Sequence, residues 1–196
     1  MAINLARFAH EGTEKWGVVL GDRIAPLTGD YPTTAALIAG GEVDFRAAAQ
    51  RDGTIDLRDV ALLSPATAPC RIYCQGANYR QHMIESGMNP DEKAFNMFFT
   101  KSDASIASAV ETVMRPSHVR LLDYEIELGL VFRRPISAAT NVTRDNLKDF
   151  VFGITIANDL SARDVQLPQT QFFKGKSYRG FCPLGPWLTV LDAEDF

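Results

Sequence analysis

Residues 121–132 read Leu-Leu-Asp-Tyr-Glu-Ile-Glu-Leu-Gly-Leu-Val-Phe, with a period of two. Tyr124, Ile126, Leu128, Leu130 and Phe132 fall on one side, and Asp123, Glu125, Glu127, Gly129 and Val131 on the other. Such alternation specifies a strand, and it predicts that the apolar side enters a core. The other side carries three carboxylates in succession. Like charges in a row repel, and each one taken out of water without a partner is costly. Either this face is wet, or a cation is held on it by Glu125 and Glu127. The rest of the chain bears on that choice.

Composition narrows the classes. A chain of 196 residues can bury a substantial core, as one domain or one domain with a small appendage. Its 46% apolar and 22% charged residues suit an ordinary soluble globular protein. A net charge of -4 with no basic run argues against a general nucleic-acid binder. No stretch approaches the roughly 18 continuous apolar residues of a membrane span, and the first residues lack the apolar core of a signal peptide. Cys70, Cys74 and Cys182 make an odd number, which predicts reduced thiols, packed in the core, in a cytoplasmic protein.

In chain order, residues 3–8 and 16–24 read as strands joined by a turn at 10–13, with a second turn at Gly21-Asp22. Residues 33–39 and 45–50 read as short helices split by Gly40-Gly41. The stretch 64–69, Ser-Pro-Ala-Thr-Ala-Pro, reads as a linker. It divides a small β-rich N-terminal module at 1–66 from a second unit at 67–196. In the second unit, 71–75 reads as a strand, and Asn78 as the cap of a helix running to about 87. On that helix His82 and Glu85 are three apart and share a face, so the carboxylate can fix the imidazole tautomer and leave the other nitrogen as a base.

Further along, a strand at 96–100 delivers Lys101. Thr143 is read as the cap of a second helix with Leu147, Phe150 and Val151 as its apolar positions. A β-rich run at 152–157 ends in Asn158-Asp159, where a carboxylate at a strand end can be aimed into a cavity. Gly175-Lys176-Ser177 echoes a phosphate-binding loop, but Thr170 stands where that loop requires Gly, so the reading is rejected. Residues 187–191 form a last strand. Glu125, Glu127 and Asp159, with no Cys or His spaced to join them, make an oxygen-only set. Such a set suits Mg²⁺, Mn²⁺ or Ca²⁺ better than zinc, and it leaves positions open for a chelating substrate.

These segments resemble the fumarylacetoacetate hydrolase family. The likeness runs through Gly76-Ala77-Asn78-Tyr79-Arg80-Gln81-His82-Met83-Ile84-Glu85, Phe99-Thr100-Lys101, Asp123-Tyr124-Glu125-Ile126-Glu127-Leu128-Gly129, residues 158–166 from Asn158 to Gln166, and residues 174–186 from Lys174 to Pro186, in the family's order. The resemblance implies an α+β, predominantly β fold, a mixed β-sheet roll preceded by a small β-rich module. It also implies a Mg²⁺ or Mn²⁺ site (Ca²⁺ in crystals) and a homodimer. By motif position Glu125, Glu127 and Asp159 look like the metal ligands. His82 and Glu85 look like the catalytic pair on a lid, and Lys176 like the active-site lysine. Lys101, Arg163, Gln166 and Tyr79 look like substrate-binding or supporting groups.

The activity so implied is hydrolysis of a carbon–carbon bond in a β-diketone or acylpyruvate-type 2-oxo acid, as in aromatic catabolism, through an enolate held at the cation. His82, oriented by Glu85, would activate water, and Lys176 would stabilise the oxyanion. Two alternatives stand beside it. One is decarboxylation, tautomerisation, isomerisation or hydration of a 2-oxo acid on the same site. The other is a metal-binding module without turnover. The family's pattern continues past Phe196 through more strands and a Thr-Gly-Thr-Pro-like loop, so the catalytic domain at 67–196 is expected to lack its C-terminal part and not to be stable alone.

Overall fold

The computed structural model describes residues 2–85, 87–92 and 95–192. Strands β1 (Ile3–His10), β2 (Thr13–Leu20) and β3 (Arg23–Pro26) form an antiparallel meander. Helix α1 (Thr34–Gly40) begins where the Thr33 hydroxyl accepts the Ala36 N–H at 3.1 Å, and α2 (Glu42–Ala48) comes directly after it. Short strands β4 (Ile55–Asp56) and β5 (Ala61–Leu63) pair with β3 and β1. Strand β6 (Ile72–Gly76), helix α3 (Arg80–Glu85), and strands β7 (Met97–Lys101), β8 (Ile106–Ser108), β9 (Leu122–Asp123) and β10 (Ile126–Phe132) come next. They lead into β11 (Val151–Asn158), β12 (Ser161–Ala162), α4 (Arg163–Gln169), α5 (Phe173–Lys176), β13 (Cys182–Leu184) and β14 (Leu188–Val190).

The main sheet runs β4-β3-β2-β1-β14-β11-β13-β8, with β10 added on β11 and β5 on β1. The β13–β8 pair is parallel and its other pairs are antiparallel, so the sheet is mixed, and the fold is mostly β and curled. Strand β14 joins the two ends of the chain. It pairs Leu188 with Leu5 on one side, and Val190 with Gly153 on the other. Gly153 is required there, since a Cβ would stand 2.4 Å from the Thr189 carbonyl oxygen. One buried cluster draws Leu5, Trp16, Leu37 and Phe45 together with Phe152, Leu188 and Val190. Burial of such side chains is worth roughly 1.5–3 kcal/mol each. Residues 1–66 thus share a sheet and a core with strands β11 and β14 of the second unit.

Three expectations are corrected. The apolar side of β10 does not enter a core: Ile126 and Leu128 are 60% exposed, and Leu130 and Phe132 are about half exposed. Asp123 and Glu125, just ahead of β10 on the other side, are drawn inward by Arg163 and Lys176, and a period of two then forces the apolar side outward. Residues 144–149 form a 3-10 turn, whose start is fixed by the Thr143 N–H donating to Asn146 Oδ1 at 2.7 Å. Of the three thiols only Cys182 is buried, while Cys74 is partly covered and Cys70 exposed.

Candidate active site

Two ladders bring the site together, one short and one a long pairing of the main sheet. Strands β9 and β12 pair Asp123 with Ser161, and β10 and β11 pair Glu127 with Ala157. Between them the Asp159 N–H donates to the Glu125 carbonyl at 2.8 Å, and the Glu125 N–H donates to Asn158 Oδ1 at 3.1 Å. Glu125 and Asp159 are therefore fixed side by side by one backbone bond and the Asn158 amide before either carboxylate is paired.

Into this cleft come two lysines. Lys101, at the end of β7, donates to Asp159 Oδ1 at 2.6 Å and to the Leu160 carbonyl at 3.2 Å. Lys176, at the end of α5, donates to Glu125 Oε2 at 2.5 Å and to Asp159 Oδ2 at 2.6 Å. Both lysine side chains are almost fully buried. Helix α5 reaches this position by packing on α4 through Gly175, where a Cβ would meet the Gln166 backbone nitrogen at 2.9 Å. The Lys176 ammonium also lies 4.9 Å from the centre of the Phe99 ring, a cation–π distance.

Glu125 has two further partners. Ser161 Oγ lies 2.8 Å from its Oε2, and Arg163 Nη2 donates to its Oε1 at 2.8 Å. Burial opposes the charge of this carboxylate, but the Lys176 hydrogen bond and charge, with Ser161 and Arg163, win and hold it down at about 2. Glu127 behaves oppositely. Burial raises its carboxyl, and the charges of Glu125 and Asp159 raise it further, against a hydrogen bond from Tyr79. Burial and that bond to Glu127 push the Tyr79 hydroxyl up in turn. Among the described residues, Lys101, Lys176 and Arg163 form no ion pair with Glu127.

Of the residues singled out in the sequence, Lys101, Glu125, Asp159, Arg163, Gln166 and Lys176 meet in one network, and Glu127 and Tyr79 stand at its edge. The expected His82–Glu85 pair falls outside the described residues. Glu85 Oε1 accepts from Gln81 Nε2 at 2.9 Å, its i–4 neighbour on α3, and the His82 side chain lies outside the described residues. Ser161, Asp123 and Phe99 were not given roles from the sequence. Asp123 was visible on the acidic side of the strand, but nothing local showed that it would face Arg163.

The donor set fits a hard divalent cation in kind: all oxygen, with one carboxylate, Glu127, whose charge is opposed by burial and then by its anionic neighbours. As they stand, no three His, Cys, Asp or Glu groups among the described residues are gathered to hold a metal, and the Lys176 ammonium lies between Glu125 and Asp159. Loading would require that ammonium to give way or share the carboxylates.

Residues 71–196 match the family model described as Fumarylacetoacetate (FAA) hydrolase C-terminal, and residues 4–65 match one described as Rv2993c-like, N-terminal. The chain belongs to the fumarylacetoacetate hydrolase family. Enzymes of the family generally use a divalent metal. Oxaloacetate tautomerase YisK of Bacillus subtilis is 40% identical over 134 residues, 67% of this chain and 44% of that protein. Among solved structures, a probable 2-hydroxyhepta-2,4-diene-1,7-dioate isomerase from Mycobacterium abscessus has TM-score 0.77 and 31% identity, over 100% of this chain and 66% of that one. The fumarylacetoacetate hydrolase EaFAH from Exiguobacterium antarcticum has TM-score 0.74 and 29% identity, over 99% of this chain and 68% of that one. The chain spans about half the length of the curated relatives it matches. No helix among the described residues is long and apolar enough to cross a membrane.

Proposed function

We propose that this fumarylacetoacetate hydrolase-family chain carries the site of a divalent-cation-dependent enzyme for keto–enol proton transfer on a small 2-oxo acid such as oxaloacetate. One observation carries the reading. A buried ammonium, Lys176, stands between Glu125 and Asp159 at 2.5 and 2.6 Å, backed by Lys101. An ammonium that a bound cation displaces from these carboxylates stays in a dry cleft, where an N–H donor stabilises an oxyanion, and enolisation creates an oxyanion. The names of the similar tautomerase and isomerase support the same reading.

Glu125, Glu127 and Asp159 would hold Mg²⁺ or Mn²⁺, which when bound would act as a Lewis acid on the 2-oxo acid. The chain's own residues do the remainder. Lys176 donates to the enol oxygen as charge develops there. Lys101 holds the Asp159 carboxylate in place. Tyr79 borders the substrate's side of Glu127. His82, on the α3 lid, exchanges the proton at the carbon. The same proposal takes 1–66 as a module preceding the catalytic domain at 67–196, and the protein as a cytoplasmic homodimer.

Hydrolysis of an acylpyruvate is the second reading, favoured by the likeness to EaFAH. The test is substrate profiling with Mn²⁺ present. Loss of the oxaloacetate enol, faster than in buffer and abolished by chelator, is expected. Turnover of acylpyruvates with no effect on the oxaloacetate enol would give the hydrolase reading first place.

A further inference from the structure

The Arg163 guanidinium is engaged through all three of its nitrogens. Nε and Nη2 donate to Asp123 Oδ2 at 3.0 and 2.8 Å, Nη2 also to Glu125 Oε1 at 2.8 Å, and Nη1 to Gln166 Oε1 at 2.9 Å. Its backbone is tied as well, since Arg163 N–H donates to the Leu121 carbonyl at 2.8 Å beside the β9–β12 ladder. Gln166 is buried and cannot swing away without opening the packing of α4 on α5. An arginine committed in this way has little left to offer a substrate, and of the substrate-binding or supporting roles the family resemblance implies, the geometry favours the supporting one. What it does offer is geometry. It takes Oε1 of Glu125, so that Oε2 is turned toward Lys176 and Asp159.

We propose that Arg163 is a positioning residue. With Asp123 as its counter-ion, it locks the Glu125 carboxylate so that a single oxygen faces the cation position. Asp123 thereby gains a role, as the acidic-side residue that does not ligate. The fork matters more than the charge, because a planar guanidinium spans two carboxylates where an ammonium reaches as a point. The inference rests on the cation reading of Glu125, Glu127 and Asp159, and its test separates the two.

Arg163→Lys keeps the charge and loses the fork. Asp123→Asn keeps the shape of a half-exposed side chain and so retains the fold. Each is expected to weaken Mn²⁺ binding to the 196-residue chain, measured by calorimetry, by about 10- to 100-fold, the usual effect of losing a partner that orients a ligand. The double variant should be no weaker than the worse single one, since both break the same lock. In a crystal structure of Arg163→Lys grown with chelator, the Glu125 carboxylate should be rotated away from Lys176. Unchanged Mn²⁺ affinity with a raised KM for oxaloacetate in Arg163→Lys alone would make Arg163 a substrate ligand and overturn the proposal. If the wild-type chain binds no Mn²⁺, the cation reading fails, and the chelator structure still decides: Glu125 unmoved in Arg163→Lys refutes the lock.

Discussion

The Lys176 ammonium lies 2.5 Å from Glu125 Oε2, and both groups are withdrawn from solvent. Their contact links the acidic strand region before β10 to the short helix α5, which lies beyond α4 in the chain. It also accounts for the outward apolar face of β10. Once Glu125 is pulled inward by Lys176 and Arg163, alternation leaves Ile126, Leu128 and Leu130 facing out.

Lys176→Met tests both halves of that relationship. Enolisation of oxaloacetate should fall by about 10²–10³-fold in kcat, as when one oxyanion donor is removed. Stability in chelator, from urea melts, should fall by about 3 kcal/mol, the low end for breaking a buried pair, because Arg163 and Lys101 still serve the two carboxylates. Unaltered kcat with lowered stability would make the lysine purely structural.

Glu125 and Glu127 should answer pH in opposite directions. The Glu125 carboxyl is depressed from 4.5 to about 2 in the fold, so its charge stabilises above the unfolded value, and that contribution is lost as the pH falls from 4.5 toward 2. The Glu127 carboxyl is raised, so ionising it opposes the fold once the pH climbs past 4.5. In chelator at pH 7, Glu127→Gln should therefore raise Tm, and Glu125→Gln should lower it. At pH 4 the Glu127→Gln difference should nearly vanish. A Glu127→Gln protein less stable than wild type at pH 7 without metal would show that its neighbours do not crowd it with negative charge.

Much of the site was legible because its residues sit at strand ends. The run 152–157 ending in Asn158-Asp159, and the strand delivering Lys101, both announce a side chain placed just at or past a strand end. The pairing among them was not legible. Whether Glu125 meets Lys176, Arg163 or solvent depends on how α4 packs on α5 through Gly175, a contact between helices that no local pattern encodes. The outward direction of the apolar face of β10 is hidden for the same reason. Period two says which residues share a side, but only the tertiary partner says which side is in. The shared β1–β14 ladder was hidden too, because it joins residues 185 positions apart such as Asn4 and Thr189.

Leu128→Asp probes the exposed side of β10. The side chain is 60% exposed, so folding stability should change by no more than about 0.5 kcal/mol, the usual surface effect. Ile126, Leu130 and Ile156 share its exposure, and a contiguous apolar surface promotes association. Self-association, measured by sedimentation velocity, should weaken in the variant. A large loss of stability in dilute solution would show instead that this side chain is packed within a single chain.

His82 on α3 separates proton transfer from hydrolysis. The residue precedes the polar loop after Gly87 and is none of the three carboxylates proposed to ligate, so the cation and the lid should be separable. His82→Ala leaves Glu125, Glu127 and Asp159 untouched, and Mn²⁺ affinity by calorimetry should stay within about twofold of wild type, as for independent sites. Attack by water needs a base beside the water, so acylpyruvate hydrolysis, if present, should fall by about 10²–10⁴-fold. Enolisation relies first on Lys176 for its oxyanion, and the carbon proton can also be exchanged with solvent, so oxaloacetate turnover should suffer less. Glu85→Gln should cost less again, because Glu85 is engaged with Gln81 and a glutamine there keeps a hydrogen-bonding partner. Loss of Mn²⁺ binding in His82→Ala would place the imidazole in the cation site instead. Equal loss of both reactions would make it the shared base and remove the distinction between them.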